Sequence, residues 1–176
     1  MALDLVLMVS VLVVAASIFD VKTRRIPNPL LVAGLIIGVG WHIWHGGWNG
    51  LVASAAGFGL GLALMLPGWL LRFTGGGDVK LLAAVGSMLG AGTVIYAFVI
   101  SILTGATFAL MNSIHRWARQ GAESPTARYG LMLTLLFTGN KPTYLRPDEC
   151  EAVGKRFPLA PAIAVGSIAA SILFMN

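Results

Sequence analysis

A chain of 176 residues that is 57% hydrophobic and 11% charged, with a mean hydropathy of +0.82, is too apolar to be covered by water as a soluble domain. Its single cysteine, Cys150, excludes an intramolecular disulfide and a Cys₄ zinc site. The net charge of +5 is not gathered into a basic domain that would bind nucleic acid, so a bilayer is the expected solvent.

A hydrocarbon core of ~30 Å is crossed by about 20 apolar residues in a helix. The first ten residues carry Asp4 but no Lys or Arg, so the positive start of a signal peptide is missing and residues 2–19 read as a retained span. Residues 29–45 form the second, with Asn28 as N-cap and Pro29 at the first helical position. Residues 50–71 form the third, with Pro67 tolerated near its end. The next apolar stretch is too long for one crossing and breaks at Gly90-Ala91-Gly92, giving spans 79–90 and 92–112. A polar loop, 115–157, follows, in which 129–137 is apolar but short and reads as an interfacial or re-entrant helix. Residues 158–175 complete the expectation: a single all-α membrane domain, 1–176, built as a polytopic bundle of six transmembrane helices.

All 12 Lys and Arg residues fall in the segments after spans one, three and five. The positive-inside rule makes that face cytoplasmic and places both termini outside. Trp41, Trp44 and Trp48 cluster where span two leaves the opposite face, as an aromatic belt would. His42 and His45 sit among them, and two histidines without carboxylate or thiolate partners make a poor metal site, so interfacial packing is the expected role. Gly34/Gly38, Gly57/Gly61 and Gly86/Gly90 are each spaced four apart, which suits close helix packing within the bundle or, as the sharper alternative, a homodimer.

Of seven acidic residues, Asp4 lies at the outer end of span one and Glu123, Asp148, Glu149 and Glu151 lie in the long loop. That leaves Asp20, ending span one, and Asp78, beginning span four, both toward the cytoplasmic side. Asp78 stands 12 residues before the Gly90 turn, or ~18 Å by helical rise, which recesses it below the inner surface. An ionisable group at that depth is costly and marks a functional site. Gly75-Gly76-Gly77 before it permits irregular backbone, which at membrane depth faces protein or water. The plain alternatives are that Asp78 only caps its helix and that Asp20 only pairs with Lys22 or Arg24. The macrodipole disfavours an Asp at a helix C-terminus, so Asp20 is poorly explained as a stabilising residue. Two carboxylates sharing one proton are the working state of an aspartic peptidase. The Gly75–Lys80 stretch is no Walker A loop, since it lacks the Gly-Lys-Ser/Thr ending, and Lys80 is expected to meet lipid phosphate or to offset the acidic pair.

Gly75-Gly76-Gly77-Asp78-Val79-Lys80 resembles the Gly-x-Gly-Asp-x-Lys signature of the type IV prepilin peptidases, a family of intramembrane aspartic proteases. The segment from Asp20 through Arg25-Ile26-Pro27-Asn28 is similar to the one carrying that family's first catalytic aspartate, and Pro158-Leu159-Ala160-Pro161 is similar to its proline-rich final helix, without the aromatic and glycine common there. The resemblance implies catalytic roles for Asp20 and Asp78, a loop shaped by Gly75 and Gly77, and a multi-pass protein of the bacterial inner membrane. It further implies that prepilins lose a short basic leader at the cytoplasmic face, with no cofactor or metal. The paired Cys-x-x-Cys motifs of larger, methylating members are missing, so the chain is more similar to the peptidases of Flp-type tight-adherence pili. Two other classes use the same residues differently: a proton-coupled transporter with the carboxylates as a relay, and a non-catalytic scaffold of a secretion assembly.

Overall fold

Apolar runs rich in Leu, Val and Ala become helices throughout the residues that the computed structural model describes, which are 3–70, 74–120 and 159–174. There are four: α1 (Leu3–Thr23), α2 (Asn28–Leu70), α3 (Gly76–Gln120) and α4 (Ala160–Leu173), with no strand among the described residues. Three of them, α1, α2 and α3 over Gly76–Asn112, are long and apolar enough to cross a membrane. By its contacts the chain forms two units, Met1–Gly105 with Pro158–Asn176, and Ala106–Phe157. Asp20 and Asp78 both belong to the first, while the second is described only over the end of α3.

Helix α1 is 21 residues long, one turn longer than expected, so Asp20 lies inside it rather than at its end. It stops where Arg24 turns left-handed (φ 52°) and donates its N–H to the Asp20 carbonyl at 2.8 Å, an αL cap.

At 43 residues, α2 would reach ~65 Å if straight, twice the hydrocarbon thickness. Gly47 breaks it (φ 54°, ψ −129°). Beyond the break the chain doubles back: a Cβ added to Gly50 would strike the carbonyl of His42, a residue ~12 Å away along a straight helix. The same happens in α3 at Gly90 (φ 78°, ψ 169°), where a Cβ on Gly86 would stand 3.2 Å from the side chain of Val94. Glycine reaches such dihedrals without steric cost. The break expected at 90–92 is therefore present, whereas the loop expected between residues 45 and 50 is helical apart from Gly47.

Other boundaries shift. α3 begins at Gly76 rather than 79 and continues through His115 to Gln120, because no Pro or Gly interrupts it there, so the expected loop 115–157 starts later. α4 has 14 residues, ~21 Å, short of the expected 158–175. The expected helix 129–137, the loop acids at 123, 148, 149 and 151, and Cys150 lie outside the described residues.

The first arm of α3 is the centre of the packing. Leu81, Leu82, Val85 and Met88 are fully buried, together with Val9 and Val13 of α1 and Ile163 of α4. The spaced glycines serve these contacts: Gly34 faces Leu12, Gly38 faces Ser87 and Met88, Gly57 lies against the Gly86 carbonyl, and a Cβ on Gly61 would stand 2.5 Å from the Leu82 carbonyl oxygen. Backbones meet inside the bundle, which is the intramolecular reading of the motif. Polar ties accompany them: Ser54 Oγ donates to the Ser87 carbonyl (2.9 Å), and His42 Nε2 donates to the Met88 carbonyl (3.0 Å). Val11, Ile36 and Leu103 are instead exposed, as lipid-facing side chains should be.

Candidate active site

The first N–H groups of any helix lack partners within it. At the start of α3, the Gly75 carbonyl accepts from the N–H groups of Asp78 (3.1 Å) and Val79 (3.4 Å), which makes Gly75 the cap residue. Asp78, three residues on, returns its carboxylate to the Gly75 N–H, with Oδ2 at 3.1 Å. That is the return half of a capping box, with glycine where a hydroxyl residue usually completes the other half. Asp78 does cap its helix, and the cap fixes the direction of the carboxylate.

The glycine run therefore has a different purpose from the irregular backbone expected of it. Gly76 and Gly77 are helical, and none of Gly75, Gly76 and Gly77 has a positive φ. What matters is room. A Cβ on Gly75 would lie 3.1 Å from Asp78 Oδ2, whereas one on Gly77 would make an ordinary 3.5 Å contact with Ile26 and one on Gly76 a 3.4 Å contact with Trp69 Nε1.

Asp20 sits one turn from the C-terminus of α1, where the dipole opposes its charge. Compensation comes from another helix. The N-cap residue of α4, Leu159, makes no side-chain cap, and the N–H of Ala160, the first helical residue, donates to Asp20 Oδ2 at 3.3 Å. Asp20 thus caps α4 from outside, and the positive end of α4 offsets the negative end of α1. Among the described residues it makes no ion pair with Lys22 or Arg24, so the plain alternative for Asp20 is replaced by this contact.

The two aspartates are brought together. Asp20 is 9% exposed and Asp78 8%, and Asp20 lies near enough for its charge to act on the Asp78 carboxylate. Their anchoring is matched: each gives Oδ2 to a backbone N–H at a helix start and leaves Oδ1 with no protein hydrogen bond among the described residues. The one side-chain atom that is both buried and unpartnered among those residues is Thr74 Oγ1, so both Oδ1 atoms reach accessible surface. Two fixed carboxylates with free, accessible oxygens can hold and activate a water between them.

Lys80 lies outside this pair. Its ammonium donates to Asn28 Oδ1 at 3.3 Å, tying the start of α3 to the start of α2, in place of the charge-offsetting role considered for it. Asn28 is the first helical residue of α2 and its side-chain oxygen goes to Lys80, not to a cap of its own helix. No group of three or more His, Cys, Asp or Glu among the described residues could hold a metal ion. Sequence reasoning missed Ala160, whose contribution is a backbone N–H and leaves no mark in residue type.

Residues 6–110 match a family model described as the type IV leader peptidase family. The matched stretch contains Asp20, the Gly75–Asp78 segment and both helix reversals, and ends before α4. No curated protein and no solved structure gives a significant match to the chain.

Proposed function

This chain belongs to the type IV leader peptidase family, and we propose that it is an aspartic endopeptidase that removes the basic leader of prepilins, with Asp20 and Asp78 as its catalytic pair. The observation that carries the reading is the matched anchoring of the two buried carboxylates, with one oxygen of each left free. In the mechanism, one carboxylate accepts a proton from the water while the other, protonated, donates to the scissile carbonyl oxygen. Water oxygen bonds to the carbonyl carbon to give a tetrahedral gem-diol; as the C–N bond breaks, the proton taken from water passes to the departing amine and a gem-diol hydroxyl returns its proton to the carboxylate that donated one. One proton is thus held by the pair before and after turnover.

The reversals at Gly47 and Gly90 support a six-crossing topology in which α2 and α3 each supply two arms. Placing every Lys and Arg on one side then orients the aspartates toward the cytoplasm and both termini outside, in the bacterial inner membrane. The packing of all three glycine pairs within the chain gives a homodimer no added support.

The test is cleavage of a purified prepilin by the purified full-length protein. Asp20→Asn and Asp78→Asn should each lower the rate by at least about 10²-fold, with the protein still inserted. A variant of either kind that cleaves at the wild-type rate removes the catalytic pair, and the same assay separates hydrolysis from a proton relay or a scaffold.

A further inference from the structure

Asp4 stands 16 residues before Asp20 on α1, ~24 Å away by helical rise, at the other end of the bundle. There a cavity of about 550 Å³ is lined by Asp4 and Met8 of α1 and by Ile37, Trp41, Trp44 and His45 of α2. It is an open groove, also lined by the exposed Gly40, where an added Cβ would meet nothing within 4 Å. A carboxylate in the first turn suits the dipole of α1, but that accounts for neither the cavity nor the rings around it.

Two of the polar groups facing this cavity, Asp4 and His45, can accept hydrogen bonds. His45 Nδ1 lies 2.9 Å from the Trp41 carbonyl, and a carbonyl can only accept, so Nδ1 carries the hydrogen. In the neutral ring Nε2 is then an acceptor. The ring is held in place by stacking on Trp41, with centroids 4.1 Å apart. Beside it are the Asp4 carboxylate and the indole of Trp44, which is 87% exposed. Two acceptors and two aromatic faces make a site for a cation. Among the described residues, no Lys or Arg side chain lines it. Among the described residues a metal ion would find only two protein ligands, one short of the three that open metal sites use.

The surroundings name the carrier of the cation. Leu3, Leu7, Ile36 and Ile43 are exposed on the two helices that form the cavity, where acyl chains would lie. We propose that this cavity binds the primary ammonium headgroup of a zwitterionic phospholipid, phosphatidylethanolamine. The ammonium has three N–H donors for the Asp4 carboxylate and His45 Nε2, its methylenes rest on the indole faces, and the indole N–H of Trp44 is a donor for the lipid phosphate.

The experiment uses the delipidated full-length protein incubated with equal amounts of phosphatidylethanolamine, phosphatidylcholine and phosphatidylglycerol, with retained lipid read by native mass spectrometry. The wild type should retain phosphatidylethanolamine at least about fivefold over the other two, the scale of a charge-assisted hydrogen bond. Asp4→Asn and His45→Phe should each bring that ratio close to one. Gly40→Leu, which adds a bulky side chain to the lining and leaves both polar groups in place, should do the same. Prepilin cleavage in detergent should be unchanged by all three. Equal retention of the three lipids by the wild type overturns the proposal, as does an undiminished preference in Asp4→Asn or Gly40→Leu. Phosphatidylcholine held as well as phosphatidylethanolamine would mean that the rings alone read the charge, and the primary ammonium would be wrong.

Discussion

Replacing Gly75 by Ala probes the site without touching a charged group. A methyl there would sit 3.1 Å from Asp78 Oδ2, closer than a carbon normally approaches oxygen, so the carboxylate must yield by a few tenths of an ångström. The Gly75 N–H to Oδ2 bond is already 3.1 Å, and a further ~0.4 Å takes it past useful hydrogen-bond length. A bond to a charged group contributes about 1.5–3 kcal/mol. Losing that control over the carboxylate should lower kcat by about 10- to 100-fold. Gly77→Ala is the matched comparison, since its methyl meets Ile26 at an ordinary 3.5 Å and alanine favours the helix. It should keep cleavage within about threefold of wild type. The assay is steady-state cleavage of a prepilin in detergent, with thermal unfolding recorded for each variant to separate instability from misplacement. If Gly77→Ala proves slower than Gly75→Ala, the steric account of the glycine run is wrong.

Four further substitutions test the frame. Gly86→Ala puts a methyl into the Gly57 carbonyl and should destabilise by about 1–3 kcal/mol in a denaturation series, whereas Gly59→Ala meets nothing within 4 Å and should be neutral. Gly90→Ala also meets nothing within 4 Å, so its cost, about 1–3 kcal/mol by the same measurement, should come only from holding φ at 78° with ψ at 169°. Lys80→Met removes an exposed side-chain bond to Asn28 and should cost less than about 1 kcal/mol, with cleavage kept within about threefold; a loss of 100-fold would place Lys80 in the chemistry.

Residue type alone revealed a good part of this arrangement. The apolar runs located the helices because lipid demands them, and Gly90-Ala91-Gly92 marked a reversal because glycine is the residue that tolerates it. The break between 45 and 50 was legible too, but not its form: Gly47 alone turns the chain, and the residues on both sides stay helical. Asp20 and Asp78 stood out because ionisable groups are rare in such a chain. Their supports did not, for two reasons. The cap at Asp78 uses the backbone N–H of Gly75, so the usual Ser or Thr signature is missing. The partner of Asp20 is a backbone group at Ala160, 140 residues away, which no local pattern encodes and which lies beyond the residues matched by the family.

That last contact ties the site to the order of synthesis. When α1, α2 and α3 have emerged from the ribosome, Asp20 still lacks its amide donor, because residue 160 has yet to be made. The carboxylate at position 20 acquires its orientation only as α4 docks. A nascent chain halted before that helix would carry both acidic side chains yet have only one of them held, which delays competence until α4 has been made.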